Sequence, residues 1–583
     1  MDTTTYSFSS GKYTQMFVLA KRGAARVGSV WVRACDEGHT QTFYFKFDDY
    51  EPCTLKLKEN TQYEIGVQDC AVELAYFCGN YDVLRDGVMF AKFGETLELY
   101  TKENLADLYT QTYRNQFHFA PTRNWLNDPN GVCWFQGYYH LFYQYNPHGC
   151  EWSKMYWGHA VSKDLTHWED LPIALYPDQE YDTDEVGGCF SGSAIVRGDR
   201  LYVFYTGTSR HGNMLVQSQC MAYSDDGIKF EKYSGNPVVR HPPAHEGEVS
   251  NFRDPKVIQA GDKYYMVVGS TTGGLKVGDG RIFLYVSDDL MQWQYKGILL
   301  KCNGEWTSMC ECPDLFPLGN KWVLLFSLMH AVNAEKTVYA VGHMDFENCR
   351  FTIETTGELD YGMDYYAAQT MLDPKGRRLV IAWQNSWEWL PWFNDFGRTE
   401  QENWRGSLSY PREISLGDDG KLRVYPVEEL QTILYPEHTY RDLKITSERT
   451  EIASPASGAY CLKIHIDLSE NRADVLKIGT KAYGDKATII SIDFEKCSVS
   501  LDRRNGDEVF IPKGKTTCLF NGLKETFEIM VLVDKCTVEF FVNKGETGMT
   551  CTVFPALEEQ KLWLQTGKGD ISIEKLDISE IHL

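Results

Sequence analysis

Nowhere in the 583 residues is there an uninterrupted apolar run long enough to span a membrane. The opening residues Met1-Asp2-Thr3-Thr4-Thr5-Tyr6-Ser7 lack the basic start and apolar stretch of a secretory leader, so the chain is expected to act in a cytoplasm. Positive charge is short as well: 58 Lys and Arg stand against 81 Asp and Glu, a net charge of −23, with no basic cluster. Gripping a nucleic acid or an anionic membrane needs clustered Lys and Arg to neutralise phosphates, so neither partner is expected. Metal-ligand patterns are also missing. Cys310 and Cys312 form a lone Cys-x-Cys pair that reads as small packing residues, and Pro242 and Pro243 forbid the helix that would align His241 with His245. No metal and no cofactor are expected. Seventeen cysteines without a leader read as reduced thiols, and an odd number cannot all pair.

What the chain does have is length and aromatic, strand-forming sequence. A chain of 583 residues is too long for one core and points to several domains, and 43% hydrophobic content rich in Tyr, Trp and Phe fits strands. Apolar runs follow Gly137, Gly198, Gly261, Gly319 and Gly376, about sixty residues apart each time. Five such repeats predict a five-bladed β-propeller over residues 113–415. A second mark recurs as Ser-x-Asp-x-x-x-aromatic at Ser162 to Trp168, Ser224 to Phe230 and Ser287 to Trp293, read as the turn and outer strand closing each of the first three blades.

Residues 1–112 alternate over stretches such as Ser29-Val30-Trp31-Val32-Arg33 and Val72-Glu73-Leu74-Ala75-Tyr76-Phe77, which predicts an N-terminal β-sandwich-like accessory domain packed on one face. Carbohydrate binding, packing and oligomerisation are all open for it. Residues 416–583 carry the same period, as in Leu462-Ile464-Ile466-Leu468, and predict a C-terminal β-sandwich. The fold class is therefore all-β, with a propeller between two sandwiches.

Three acids stand out on the repeat. Asp128 in Asn124-Trp125-Leu126-Asn127-Asp128-Pro129-Asn130-Gly131, Asp254 in Phe252-Arg253-Asp254-Pro255 and Glu311 in Cys310-Glu311-Cys312-Pro313 each precede the repeat glycine by under about ten residues. Equivalent positions on different blades face the same axis, so the three carboxyls are expected to converge at a solvent-reachable mouth of the channel. Crowding like charge in this way is costly and marks chemistry more readily than packing. Two such acids can cleave a glycosidic bond, and their separation decides between retention and inversion. An aromatic run, Trp387, Trp389, Trp392, Phe393 and Phe396, interrupted by Pro391 and Asn394-Asp395, is expected to form a loop at a propeller face, with at least one Trp as a platform for the leaving group.

Those segments, with Gln116-Phe117-His118-Phe119, Phe190-Ser191-Gly192-Ser193, Trp404-Arg405-Gly406-Ser407-Leu408, Pro411-Arg412-Glu413 and Val538-Glu539-Phe540-Phe541-Val542-Asn543, resemble glycoside hydrolase family 32 over residues 113 to 583. That family comprises invertases, fructanases and related fructosyl-transferring enzymes. The resemblance implies a retaining reaction in which Asp128 is the nucleophile, Glu311 the acid and base, and Asp254 the transition-state stabiliser, with Arg253 beside it. It further implies a fructose pocket of Asn127, Gln144, Trp152, Phe190 and Ser191; Trp125 beside Asn127 and Trp387 of the aromatic run are also expected to bind substrate. Two positions depart from the family pattern: Phe190 stands where many members have Trp, and Cys310 precedes Glu311 where Trp or Met is frequent. The expected substrate is sucrose or a short fructo-oligosaccharide. Hydrolysis of 6-phosphosucrose, exo-attack on inulin or levan, and fructosyl transfer are the alternatives within the family. A lectin-like propeller is disfavoured because all three acids are present, and an inverting arabinan hydrolase by the sequence around Asp128. Homo-oligomerisation is left open.

Overall fold

The computed structural model describes the chain except for residues 1–2, 37, 184–186, 331–335, 388–397, 470, 507–512 and 557–559, and the side chains of 102–104. Two-residue alternation sets the strands, and each strand's two faces decide what it packs on. Five successive antiparallel sheets form the propeller blades. Their innermost strands are Asn124–Pro129, Gly188–Arg197, Phe252–Ala260, Met309–Leu318 and Tyr366–Leu372, and each blade then continues outward strand by strand.

The repeat glycines lie in the turn before the second strand of each blade. Gly137, Gly198, Gly261, Gly319 and Gly376 all have φ between +60° and +83°, and an added Cβ would meet nothing within 4 Å. Glycine recurs there for its left-handed backbone, which these tight turns demand, and not for space. The Ser-x-Asp phrase caps the next turn outward. Ser162 Oγ accepts from the Asp164 and Leu165 amides, and Asp164 Oδ1 accepts from the Thr166 and His167 amides. The Ser287–Asp289 turn repeats this arrangement. Backbone groups that would be stranded at a blade edge are thereby satisfied.

Blade five is built from Tyr366–Leu372, Arg378–Trp383, Arg412–Leu416 and Leu422–Pro426. The boundary expected at 415 therefore falls inside this blade, because two strands beyond the aromatic loop return to complete its sheet. The ring is closed by Trp404–Arg405, which pairs parallel to Asn124-Trp125 on the innermost strand of blade one. Gly406 follows with φ +92°, and a Cβ there would lie 2.0 Å from the Leu126 carbonyl oxygen, so this approach admits only glycine.

Behind the propeller, two six-stranded sheets enclose a core of Leu462, Ile464, Ile478, Ile490, Val531, Phe540 and their neighbours, which is the C-terminal sandwich. Its joint to the propeller is ionic and buried. Asp534 accepts hydrogen bonds from the Gln116, Phe117 and His118 amides and lies 2.9 Å from His118 Nδ1. Arg412 from blade five reaches Asp360 at 2.8 Å and Glu539 at 3.2 Å. Burial would depress His118, but Asp534 and Glu539 outweigh it and push its pKa up to about 9. Several of the motifs that carry the family resemblance away from the acids thus hold two domains together.

The N-terminal domain is a sandwich of a four-stranded and a five-stranded sheet. The second is buried on both faces along its central strands, not on the one face expected. Along Gln15–Arg22, Met16, Val18 and Ala20 point into the sandwich core, while Phe17 and Leu19 join Leu74 and Tyr76 in the core shared with blade one. Lys154 pairs with Asp49, and the Ile173 amide donates to Tyr76 Oη at 3.2 Å across the same contact. The four-stranded sheet turns its other face to solvent.

Candidate active site

Every innermost strand breaks register at one place. The shifts fall between Leu126 and Pro129, Phe190 and Gly192, Arg253 and Lys256, Glu311 and Asp314, and Tyr366 and Gln369. These are β-bulges, and in blades three to five the first bulged residue, Asp254, Cys312 or Ala367, has φ of 65°, 47° or 54°. Left-handed backbone costs a non-glycine residue roughly 1 kcal/mol. It is kept where a bulge re-aims side chains, and here it turns them toward the axis. Pro129, Pro255 and Pro313 stand at the three acid-bearing bulges, where a missing N–H removes nothing from the ladder.

Aligned on the bulge, the acids occupy three adjacent registers: Asp128 is the second bulged residue, Asp254 the first, and Glu311 the residue just before. The structure brings them together around Cys312. The Cys312 thiol is 3.6 Å from Asp128 Oδ2 and 3.7 Å from Asp254 Oδ2, and the Cys312 amide donates to Asp254 Oδ2 at 2.9 Å. Ser191 Oγ donates to Asp128 Oδ2 at 2.6 Å, and Asn127 Nδ2 to Asp128 Oδ1 at 3.0 Å. Arg253 donates to Glu311 Oε1 through Nε at 3.0 Å and Nη2 at 2.8 Å, while Tyr366 Oη donates to Oε2 at 2.7 Å.

The acids are more enclosed than an open mouth would leave them: Asp128 is 8% exposed, Asp254 3%, and the Glu311 side chain 12%. Burial pushes Asp128 up to about 6, aided by the charge of Glu311 and opposed by hydrogen bonds from Ser191, Asn127 and Cys312. Burial also raises Asp254; Arg253 opposes this, and the charges of Glu311 and Asp128 add to it. The Cys312 thiol is driven far above its ordinary range by burial and the surrounding acids, so it stays protonated and able to donate.

Trp125, expected to line the pocket, is fully buried and acts behind it, its Nε1 donating to Asn127 Oδ1 at 2.8 Å. Gln144 is also buried and donates to the Cys189 carbonyl at 2.9 Å. Partly exposed Trp152 stands edge-on to Phe190, with ring centroids 6.1 Å apart, and to Trp387 at 6.2 Å, while Trp387 stacks on Trp125 at 6.4 Å. These rings form one aromatic wall. Trp389, Trp392, Phe393 and Phe396 lie outside the described residues. Sequence reasoning missed Tyr366 and Cys312. Both become legible once the blades are aligned at the bulge, since Tyr366 then occupies the register of Glu311 and Arg253. Among the described residues no group of three or more His, Cys, Asp and Glu side chains has metal-holding geometry.

Raised carboxyl pKa values set a stability prediction. A carboxyl displaced upward on folding contributes stability that is complete below its unfolded pKa, near 4, and is lost as pH rises through the folded value. For Asp128 the window is therefore about pH 4 to 6, and the displacement corresponds to roughly 3 kcal/mol. Asp128→Asn is expected to unfold at a higher temperature than wild type at pH 8, with the advantage shrinking toward pH 4, in paired thermal melts. A reaction that uses Asp128 as its carboxylate is also expected to lose kcat/KM as pH drops through about 6.

A model of the glycosyl hydrolases family 32 N-terminal domain matches residues 118–426, and one of the family 32 C terminal matches 429–580. The levanase of Bacillus subtilis (strain 168) is 34% identical over 507 residues, 81% of this chain and 70% of that one. A sucrose-6-phosphate hydrolase of Zymomonas mobilis subsp. mobilis is 34% identical over 467 residues, 76% of this chain and 88% of that one. A solved family 32 structure from Bifidobacterium adolescentis covers 99% of both chains with a TM-score of 0.82 at 22% identity, a likeness of fold that includes the N-terminal sandwich. Together, propeller, sandwich and matches define a glycoside hydrolase. The chain belongs to glycosyl hydrolase family 32, whose members act on fructosides.

Proposed function

We propose that the protein releases terminal β-D-fructofuranosyl units from sucrose or short fructo-oligosaccharides with retention, in the cytoplasm. The observation that supports this reading is the gathering of Asp128, Asp254 and Glu311 from three blades around one buried thiol, with Glu311 held from both sides. Asp128 attacks the anomeric C2, the bond from C2 to the leaving oxygen breaks, and Glu311 gives its proton to that oxygen. Glu311 then takes a proton from water, which attacks C2 and frees Asp128, so one sucrose and one water give fructose and glucose. Asp254 binds ring hydroxyls and favours the oxocarbenium-like transition state. The wall of Phe190, Trp152 and Trp387 covers C–H faces of the sugars. Metal and cofactor have no part in these steps.

Incubation with sucrose, 6-phosphosucrose, kestose, inulin and levan, followed by product identification, tests the substrate class. Sucrose and kestose are expected to turn over faster than either polymer, with β-fructose as the first product. Strong activity on levan with none on sucrose or kestose would overturn the preference.

A further inference from the structure

The outward face of the four-stranded N-terminal sheet carries a flat aromatic surface that no core covers. In this sheet Trp31 lies opposite Gly66 on one side and Thr42 on the other, and Ser29 lies opposite Tyr44, so Trp31, Gly66, Thr42 and Tyr44 share a face. Directly opposed residues of an antiparallel pair point to the same side, which here is the side away from Val30, Val32 and Phe45 of the sandwich core. A Cβ on Gly66 would lie 2.2 Å from Trp31 Cε2 and 2.3 Å from Cζ2, so the indole lies flat across the glycine.

Covering a strand glycine with an aromatic ring is a packing device, and this chain uses it elsewhere. Tyr143 covers Gly158, Tyr339 covers Gly357 and Trp563 covers Gly479, but those rings are only 3–4% exposed. Trp31 is half-buried and belongs to none of the hydrophobic cores among the described residues. Packing on Gly66 explains its inner face, and Arg33 Cζ stands 5.7 Å from the ring centroid, yet the indole keeps part of its surface open to solvent. Tyr44, 65% exposed on the edge strand, extends the surface along the sheet.

Charge selects the occupant. The protein carries a net charge of −23, yet among the described residues paired in this sheet the ionised side chains on this face are Arg33 and Glu64, which pair with each other. The rest of the face is hydroxyls, amides and the two rings. A nucleic acid, an acidic peptide or a lipid headgroup finds no net charge to complement. A neutral ligand with apolar C–H faces and many hydroxyls finds both a stacking surface and hydrogen-bonding groups beside it.

We propose that Trp31 and Tyr44 form a binding platform for a neutral oligosaccharide chain, on the sandwich face turned away from blade one. A flat sheet suits several linked sugar units better than a single terminal one, which needs an enclosing pocket. The choice of a fructan as the first ligand to test rests on the proposed function. The platform itself does not, because it lies outside the catalytic domain.

The test is calorimetric titration of the full-length Asp128→Asn protein, which preserves the ligand, with inulin-type, malto- and xylo-oligosaccharides of five to eight units. At least one series is expected to bind. Adding Trp31→Ala should weaken that binding tenfold or more and Tyr44→Ala several-fold, while sucrose hydrolysis by the corresponding single variants with Asp128 intact stays unchanged. Tyr44→Ala guards against a folding defect, since its ring is solvent-exposed and covers no glycine. Which series responds separates a fructan ligand from a glucan or xylan one. Absence of binding in every series, affinities indifferent to both substitutions, or a dimer in sedimentation that Trp31→Ala dissociates would overturn the proposal. Failure of the proposed activity would show separately, as no fructose release by the wild type.

Discussion

Asp128→Asn is expected to lower kcat/KM on sucrose by several powers of ten while leaving a folded protein. Asparagine keeps the size of the side chain and can still accept from Ser191 Oγ, but it offers no carboxylate to attack C2. Losses of this size follow removal of a group that makes a covalent intermediate. The substitution also relieves a buried acid whose pKa is pushed up to about 6, so lost activity and gained stability should appear in the same variant at neutral pH. That pairing distinguishes a nucleophile from a structural acid, whose removal lowers both. A trapped fructosyl adduct on any residue other than Asp128 would sink the assignment.

Glu311→Gln is expected to cost about two to four powers of ten on sucrose, the usual range for a general acid. The loss should be selective. A fructoside whose leaving group departs without a proton should still form the fructosyl enzyme at near wild-type rate, because Asp128 and its partners are untouched. Glu311 Oε1 accepts from Arg253 Nε and Nη2 and Oε2 from Tyr366 alone, so Oε2 keeps an acceptor site for the proton that passes to the leaving oxygen. The Tyr366 hydroxyl can donate or accept, and it is the partner able to change role as Glu311 gains and loses a proton. Pre-steady-state kinetics on sucrose and on an activated fructoside would show the split. Equal losses on both substrates would remove Glu311 from the acid role.

Much of this was legible in the chain because its causes are local. A left-handed turn needs glycine wherever it occurs, so Gly137 and its four counterparts marked the blades, and Ser-x-Asp marked the turns that follow. Counting back from those glycines found three acids, but the count drifts with turn length, and Tyr366 was missed although it occupies the register of Glu311 at the bulge. Trp125 was placed in the pocket because it sits among pocket residues in sequence. The difference is one of depth, which order in the chain does not record: its ring is fully buried and donates to Asn127 Oδ1 from behind.

The boundary at 415 missed for a related reason. The strands after the aromatic loop belong to blade five through sheet pairing, which composition does not record. Local pattern by itself determined the all-β class and the number of blades and singled out three carboxyls as candidates, since backbone conformation and side-chain chemistry are written residue by residue. Only the tertiary structure decided that Cys312 sits between two aspartates and that Arg253 and Tyr366 hold Glu311 from either side. It also decided that His118 joins two domains and that one face of the N-terminal sandwich stays open. Those relations depend on which blades and sheets become neighbours, and their distances and burial are set by packing between segments up to hundreds of residues apart in sequence.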